Sequence, residues 1–141
     1  MGPVPFLFAK QTHLNFIKYL CRRHGGGREI IMKILIVGSR GIKDFDLEGC
    51  VPPRAELIIS GGANGVDTLA EKYADKHKLS KLILRPQYDK YGRAAPLKRN
   101  EIMVDIADEV LVIWDGVSRG TRYTAEYAKK MGKSVSIIEI K

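Results

Sequence analysis

Cysteine is nearly absent from this chain. Cys21 and Cys50 are the only two in 141 residues, too few for the disulfide framework that replaces a core in small secreted domains. His13, His24 and His77 share no metal-ligand spacing, so no four-ligand Cys/His cluster exists to hold zinc. No apolar run approaches the ~20 residues that cross a bilayer. The apolar stretch near the start precedes its basic residues and has no small-residue cleavage site, the reverse of a secretory signal. There is no Gly-x-Ser-x-Gly elbow, and neither cysteine has a histidine partner suited to nucleophilic catalysis. Together these absences predict a soluble protein of a reducing compartment, cytoplasmic, with no membrane partner and no metal.

What is present fits a globular domain. Hydrophobic residues make up 45% and charged residues 28%, near the average for folded proteins. The length suits a single core. Lys and Arg number 24 against 16 Asp and Glu, a net charge of +8. The excess is uneven: residues 1–31 hold five bases and one acid, and the remaining 110 residues hold 19 bases and 15 acids, so each part carries +4. A basic surface suits phosphates, but the body of the protein is only mildly basic. The first segment carries Phe6, Leu7 and Phe8, then Leu14, Ile17 and Leu20, then the hinge Gly25-Gly26-Gly27. It reads as an extension (1–31), disordered or a short helix with too small an apolar face for a membrane surface. The folded domain is expected at 32–141.

From Lys33 the pattern is regular. Ile34–Val37 is a continuous apolar run, the mark of a strand buried on both faces. Leu57–Ser60, Leu82–Leu84 and Val110–Trp114 follow as further strands, and Val135–Ile140 as a fifth. Between them Val66, Leu69, Ala70, Tyr73, Ala74 and His77 recur at helical spacing, as do Leu97, Met103, Ile106 and Ala107, and Thr124, Ala128 and Met131 before Gly132. The stretch from Val37 to Leu57 contains Gly49, Pro52 and Pro53, so any helix there is short. Alternating strands and helices predict an α/β, Rossmann-like fold: about five strands, mainly parallel, with helices on both faces and the last strand at an edge.

In such sheets ligands lie beyond the carboxyl ends of the strands, and the informative residues follow the strands. Gly38-Ser39-Arg40-Gly41 offers a hydroxyl and a guanidinium fork. Ser60-Gly61-Gly62-Ala63-Asn64-Gly65-Val66-Asp67 leads glycines into a helix start, where free N–H groups and the dipole favour an anion. It is neither a Walker loop nor a Gly-x-Gly-x-x-Gly fingerprint, and helix capping by Asn64 and Asp67 explains it equally well. A long polar loop, Gln87 to Ala95, carries Tyr88, Tyr91 and Arg93 and leads to Lys98-Arg99-Asn100. Asp115-Gly116-Val117-Ser118-Arg119-Gly120-Thr121 opens the last helix as a second glycine-and-hydroxyl cradle. Trp114 reads as packing.

These segments, taken in order over about residues 32–138, resemble the SLOG superfamily, most closely its YspA-like branch. The resemblance rests on Gly38-Ser39-Arg40, Ser60 to Asp67, Tyr91-Gly92-Arg93-Ala94-Ala95, Arg99-Asn100 and Arg119-Gly120-Thr121. It implies a Rossmann-like sheet binding a nucleotide or nucleotide-derived ligand, often as a sensor. The expected site takes phosphate on N–H groups of Gly61–Gly65 and Gly120–Thr121, flanked by Gly38, Ser39 and Ser118. Arg40 and Arg99 supply charge, Asp67 and Asn100 orient a ribose or cap the site, and Tyr88 covers the base.

Two related groups set the alternatives. LOG phosphoribohydrolases, which cleave a nucleoside monophosphate at its N-glycosidic bond, share the positions of Arg99, Met103, Gly120 and Thr121. Their motif lysine is Asn100 here, and their motif glutamate is Thr124. Glu126 lies about 200° round the helix from that slot. Asp67 and Glu126 are therefore the remaining candidates for a catalytic carboxylate. The DprA Rossmann-like domain is similar in Ser60–Asp67 and Arg99-Asn100, which implies single-stranded DNA along Tyr88, Tyr91, Arg93, Lys98 and Arg99. Self-association into a homo-oligomer stays open.

Overall fold

The computed structural model describes residues 31–141; the expected N-terminal helix and its glycine hinge lie outside the described residues. Within them β1 (Lys33–Gly38), β2 (Leu57–Ser60), β3 (Ser80–Ile83), β4 (Glu109–Trp114) and β5 (Ser134–Glu139) form one five-stranded sheet in the order β3-β2-β1-β4-β5. Every pairing is parallel. The chain steps outward from β1 to β3, then returns to lay β4 on the other side of β1. That reversal leaves a crevice at the carboxyl ends of β1 and β4.

The interiors of the central strands, Ile34–Val37 and Val110–Ile113, are apolar because both faces are covered. Leu35 and Val37 belong to one core cluster, Ile34 and Ile36 to the other, as the two-residue period of a strand requires. α1 (Val66–Lys76) packs Val66, Ala70 and Ala74 on one face, beside Leu47, Val51 and Ala55 of the β1–β2 connection. α3 (Ala95–Ile106) and α4 (Arg119–Lys130) pack Met103, Val104, Ala125 and Ala128 on the other. The core also takes in Ile31, 1% exposed, one residue ahead of the expected start.

The β1–β2 connection, where any helix is expected to be short, holds turns and no helix. Several other local expectations are corrected. The polar loop after β3 contains a one-turn helix, α2 (Tyr88–Tyr91), and a 3-10 turn, Gly92–Ala94. α3 starts at Ala95 and α4 at Arg119, ahead of the first residues of their expected stripes, Leu97 and Thr124. Arg119-Gly120-Thr121 has no apolar side chain to extend a stripe, and Ala95 is a buried residue that the spacing missed. His77 and Met131 fall at helix C-caps and not within buried stripes; Met131 is 48% exposed, and His77 pairs with Glu48 at 2.7 Å. Gly38 is demanded by packing: a Cβ there would lie 2.2 Å from the Ile113 carbonyl oxygen and 2.6 Å from Val66 Cγ2.

Candidate ligand cleft

A cleft of about 410 Å³ opens at the carboxyl ends of β1 and β4, the switch point where α/β sheets hold their ligands. Of the expected site residues, Gly38, Arg40, Asp67, Arg99, Asn100, Ser118, Gly120 and Thr121 line it.

One wall is the start of α4. Asp115 Oδ1 accepts the N–H groups of Val117 at 2.9 Å and Ser118 at 2.8 Å. The Asp115 N–H donates to Ser39 Oγ at 3.1 Å, and Trp114 Nε1–H donates to the Ser118 carbonyl at 2.9 Å. The turn is thus fixed from both sides. The Arg122 N–H bonds the Ser118 carbonyl at 3.2 Å, so the N–H groups of Arg119, Gly120 and Thr121 lie ahead of the α-helical ladder, at the positive end of a helix of 12 residues. A Cβ on Gly120 would meet nothing within 4 Å. Packing alone does not call for glycine at this helical position.

The opposite wall carries two guanidinium groups of different kinds. Arg99 is only 8% exposed. Its Nη1 donates to the carbonyls of Gly61 at 2.6 Å and Leu84 at 3.0 Å, and its Nε donates to Asn100 Oδ1 at 2.7 Å. Asn100 Nδ2 in turn donates to Thr124 Oγ1 at 2.8 Å, and the Thr124 hydroxyl donates to the Gly120 carbonyl at 2.9 Å. Asn100 therefore holds Arg99 in register with the first turn of α4. Arg40 is exposed and makes no ion pair or hydrogen bond among the described residues.

The first glycine loop is closed on itself. Asp67 Oδ2 accepts the Ala63 N–H at 3.1 Å, and Ser60 Oγ accepts that of Gly62 at 3.2 Å. Two N–H groups in the stretch expected to cradle an anion are thus engaged within the protein. A Cβ on Gly61 would lie 2.7 Å from Arg99 Nη1 and 2.9 Å from Asp67 Oδ2, so this glycine makes room for that pair of side chains. Asn64 does not cap α1, whose N-cap is Gly65 with no side-chain bond. Asn64 and Gly65 line a separate shallow hollow with Lys43 and Lys72. Ser39 is buried as a scaffold, Gly62 contacts Arg85, and Tyr88 is 59% exposed outside the cleft. Glu126 sits on the surface beside Arg122 at 3.2 Å, away from the cleft.

Sequence reasoning missed Asp115 as a cleft residue. Its signal was available: an aspartate two and three residues ahead of the N–H groups of a turn that leads into a helix is an Asx turn. The two cleft carboxyls are driven in opposite directions. Burial pushes Asp67 above the ordinary carboxylate range, against the pull of the Ala63 N–H and the Arg99 charge. The N–H groups of Val117 and Ser118 hold Asp115 below that range. Comparison with family models, with curated proteins and with solved structures gives no match to this chain.

Proposed function

We propose that this protein binds a nucleotide or nucleotide-derived ligand in the cleft, with the ligand's phosphate on the N–H groups that open α4. The observation that carries this reading is the coincidence, at the switch point of the sheet, of an open helix start, an uncrowded Gly120 and an unpaired Arg40. Helix N-termini bind phosphate through exposed N–H groups and the dipole together. The resemblance to the SLOG superfamily points the same way. Native mass spectrometry of the full chain purified from cells tests it: a nucleotide released on denaturation is the expected result. Arg40→Ala should then weaken that nucleotide by roughly 10–100-fold, because Arg40 has no structural bond to lose. Unchanged affinity in the folded variant would remove Arg40 from the site.

The single-stranded DNA reading has less support. Arg99, one member of its basic track, is buried, and Lys98 lies 3.7 Å from Glu101. DNA binding would show a steep fall of affinity with salt and no full competition by a mononucleotide.

One observation favours a second reading, hydrolysis of an N-glycosidic bond. Asp67 and Asp115 line one cleft with their pKa values driven apart, the arrangement that separates an acid from a base. Protonated Asp67 would donate to the base as its bond to the sugar carbon breaks, water would form the new bond to that carbon, and the water's proton would pass to the Asp115 carboxylate. Release of free base from a nucleoside monophosphate, lost in Asp67→Asn and declining as pH rises through the Asp67 pKa, is the expected result. No release by the folded wild-type chain would end this reading.

A further inference from the structure

A second hollow, of about 240 Å³, adjoins the cleft over the end of β3. Its walls are apolar, formed by Leu84, Tyr91, Ala95 and Ile102, with Arg85 and Gln87 as polar groups. Arg99 lines both cavities. Its Nη1 and Nε are engaged by the Gly61, Leu84 and Asn100 oxygens, whereas Nη2 makes no hydrogen bond to the described residues. Arg99 is a buried residue, only 8% exposed, and a buried guanidinium with unspent donors favours an acceptor placed between the two spaces. Tyr88, the aromatic expected to cover a base, lines neither cavity.

We infer that the two cavities form one bipartite site, in which the ligand's anion lies at the start of α4 and a flat apolar group, a nucleobase, fills the hollow beside Tyr91, with Arg99 bridging them. This rests on the nucleotide reading above and names the part of the protein that reads the base. Stacking on Tyr91 supplies affinity with little selectivity among bases. Gln87, with one amide donor group and one acceptor, supplies the groups to discriminate base edges.

Calorimetric titration of the full chain with AMP, GMP, CMP, UMP and ribose 5-phosphate tests the assignment. Ile102 is 40% exposed, so Ile102→Trp fills the hollow without disturbing the core. This variant and Tyr91→Ala should each weaken the best-bound nucleotide by about tenfold and leave ribose 5-phosphate unchanged, while Tyr91→Phe keeps nucleotide affinity. Undiminished nucleotide affinity in folded Ile102→Trp would overturn the hollow as base site while leaving the cleft in place. Ribose 5-phosphate binding as tightly as every nucleotide would do the same. Failure of all five probes to bind the wild-type chain would overturn both the cleft reading and the bipartite site.

Discussion

Asp67 is the residue on which most of the site's electrostatics turn. Its carboxyl closes the first glycine loop and faces the cleft, and burial raises its pKa above the ordinary value of 3.8. The folded chain therefore holds that proton more tightly than the unfolded chain. The resulting stabilisation is full below the ordinary carboxylate value and is lost as pH rises through the folded value. Asp67→Asn still offers an acceptor to the Ala63 N–H but carries no charge to bury. It should raise the Tm at neutral pH and flatten its dependence on pH in thermal unfolding between acid and neutral buffer. A wild-type slope retained in the variant would show that the carboxyl is well solvated. Asn100 acts differently, by engaging Arg99 and Thr124 at once. Asn100→Ala leaves both groups short of a partner and should cost about 1–3 kcal/mol in denaturant unfolding.

Among the elements, α4 is where stability and binding part company. Gly120 in its first turn is a poor helix former with open space beside it. Gly120→Ala should stabilise the fold by up to about 1 kcal/mol while narrowing the cleft and lowering nucleotide affinity. A gain in both would place the ligand elsewhere. Gly38 at the end of β1 behaves in the opposite way, since a Cβ there meets the Ile113 carbonyl and the Val66 side chain. Gly38→Ala should cost about 3 kcal/mol, measurable by chemical denaturation. Both glycines looked alike in the sequence, each following a strand or opening a helix. Their neighbours come from β4 and α1 in one case and from open cleft in the other, and this distinction depends on packing.

Among the described residues the sheet is protected at its centre and open along its β5 edge. β1 and β4 lie between neighbouring strands and under helices, whereas β5 forms an edge with Ile137 41% exposed. Amide hydrogen exchange should therefore be slowest in β1 and β4 and fastest, among the strands, in β5. Equal protection of β5 in the isolated chain would mean that something covers that edge.

For β1 to β4 and the three longer helices, identity was legible in the residues themselves, because burial on both faces demands continuous apolar runs and burial of one stripe demands helical spacing. β5, largely exposed at its edge, and the one-turn α2 follow neither rule. The parallel α/β class and the loops that follow the strands came from the same local patterns. Tertiary structure alone decided which donors remain open. Gly62 and Ala63 spend their N–H groups on Ser60 and Asp67, and Arg99 turns inward to Gly61, 38 residues away along the chain. The start of α4 keeps its N–H groups ahead of its first α-helical bond. Hydrogen-bond satisfaction joins groups distant in sequence, so a motif displays the donors a site contains, and only the fold apportions them between protein and ligand.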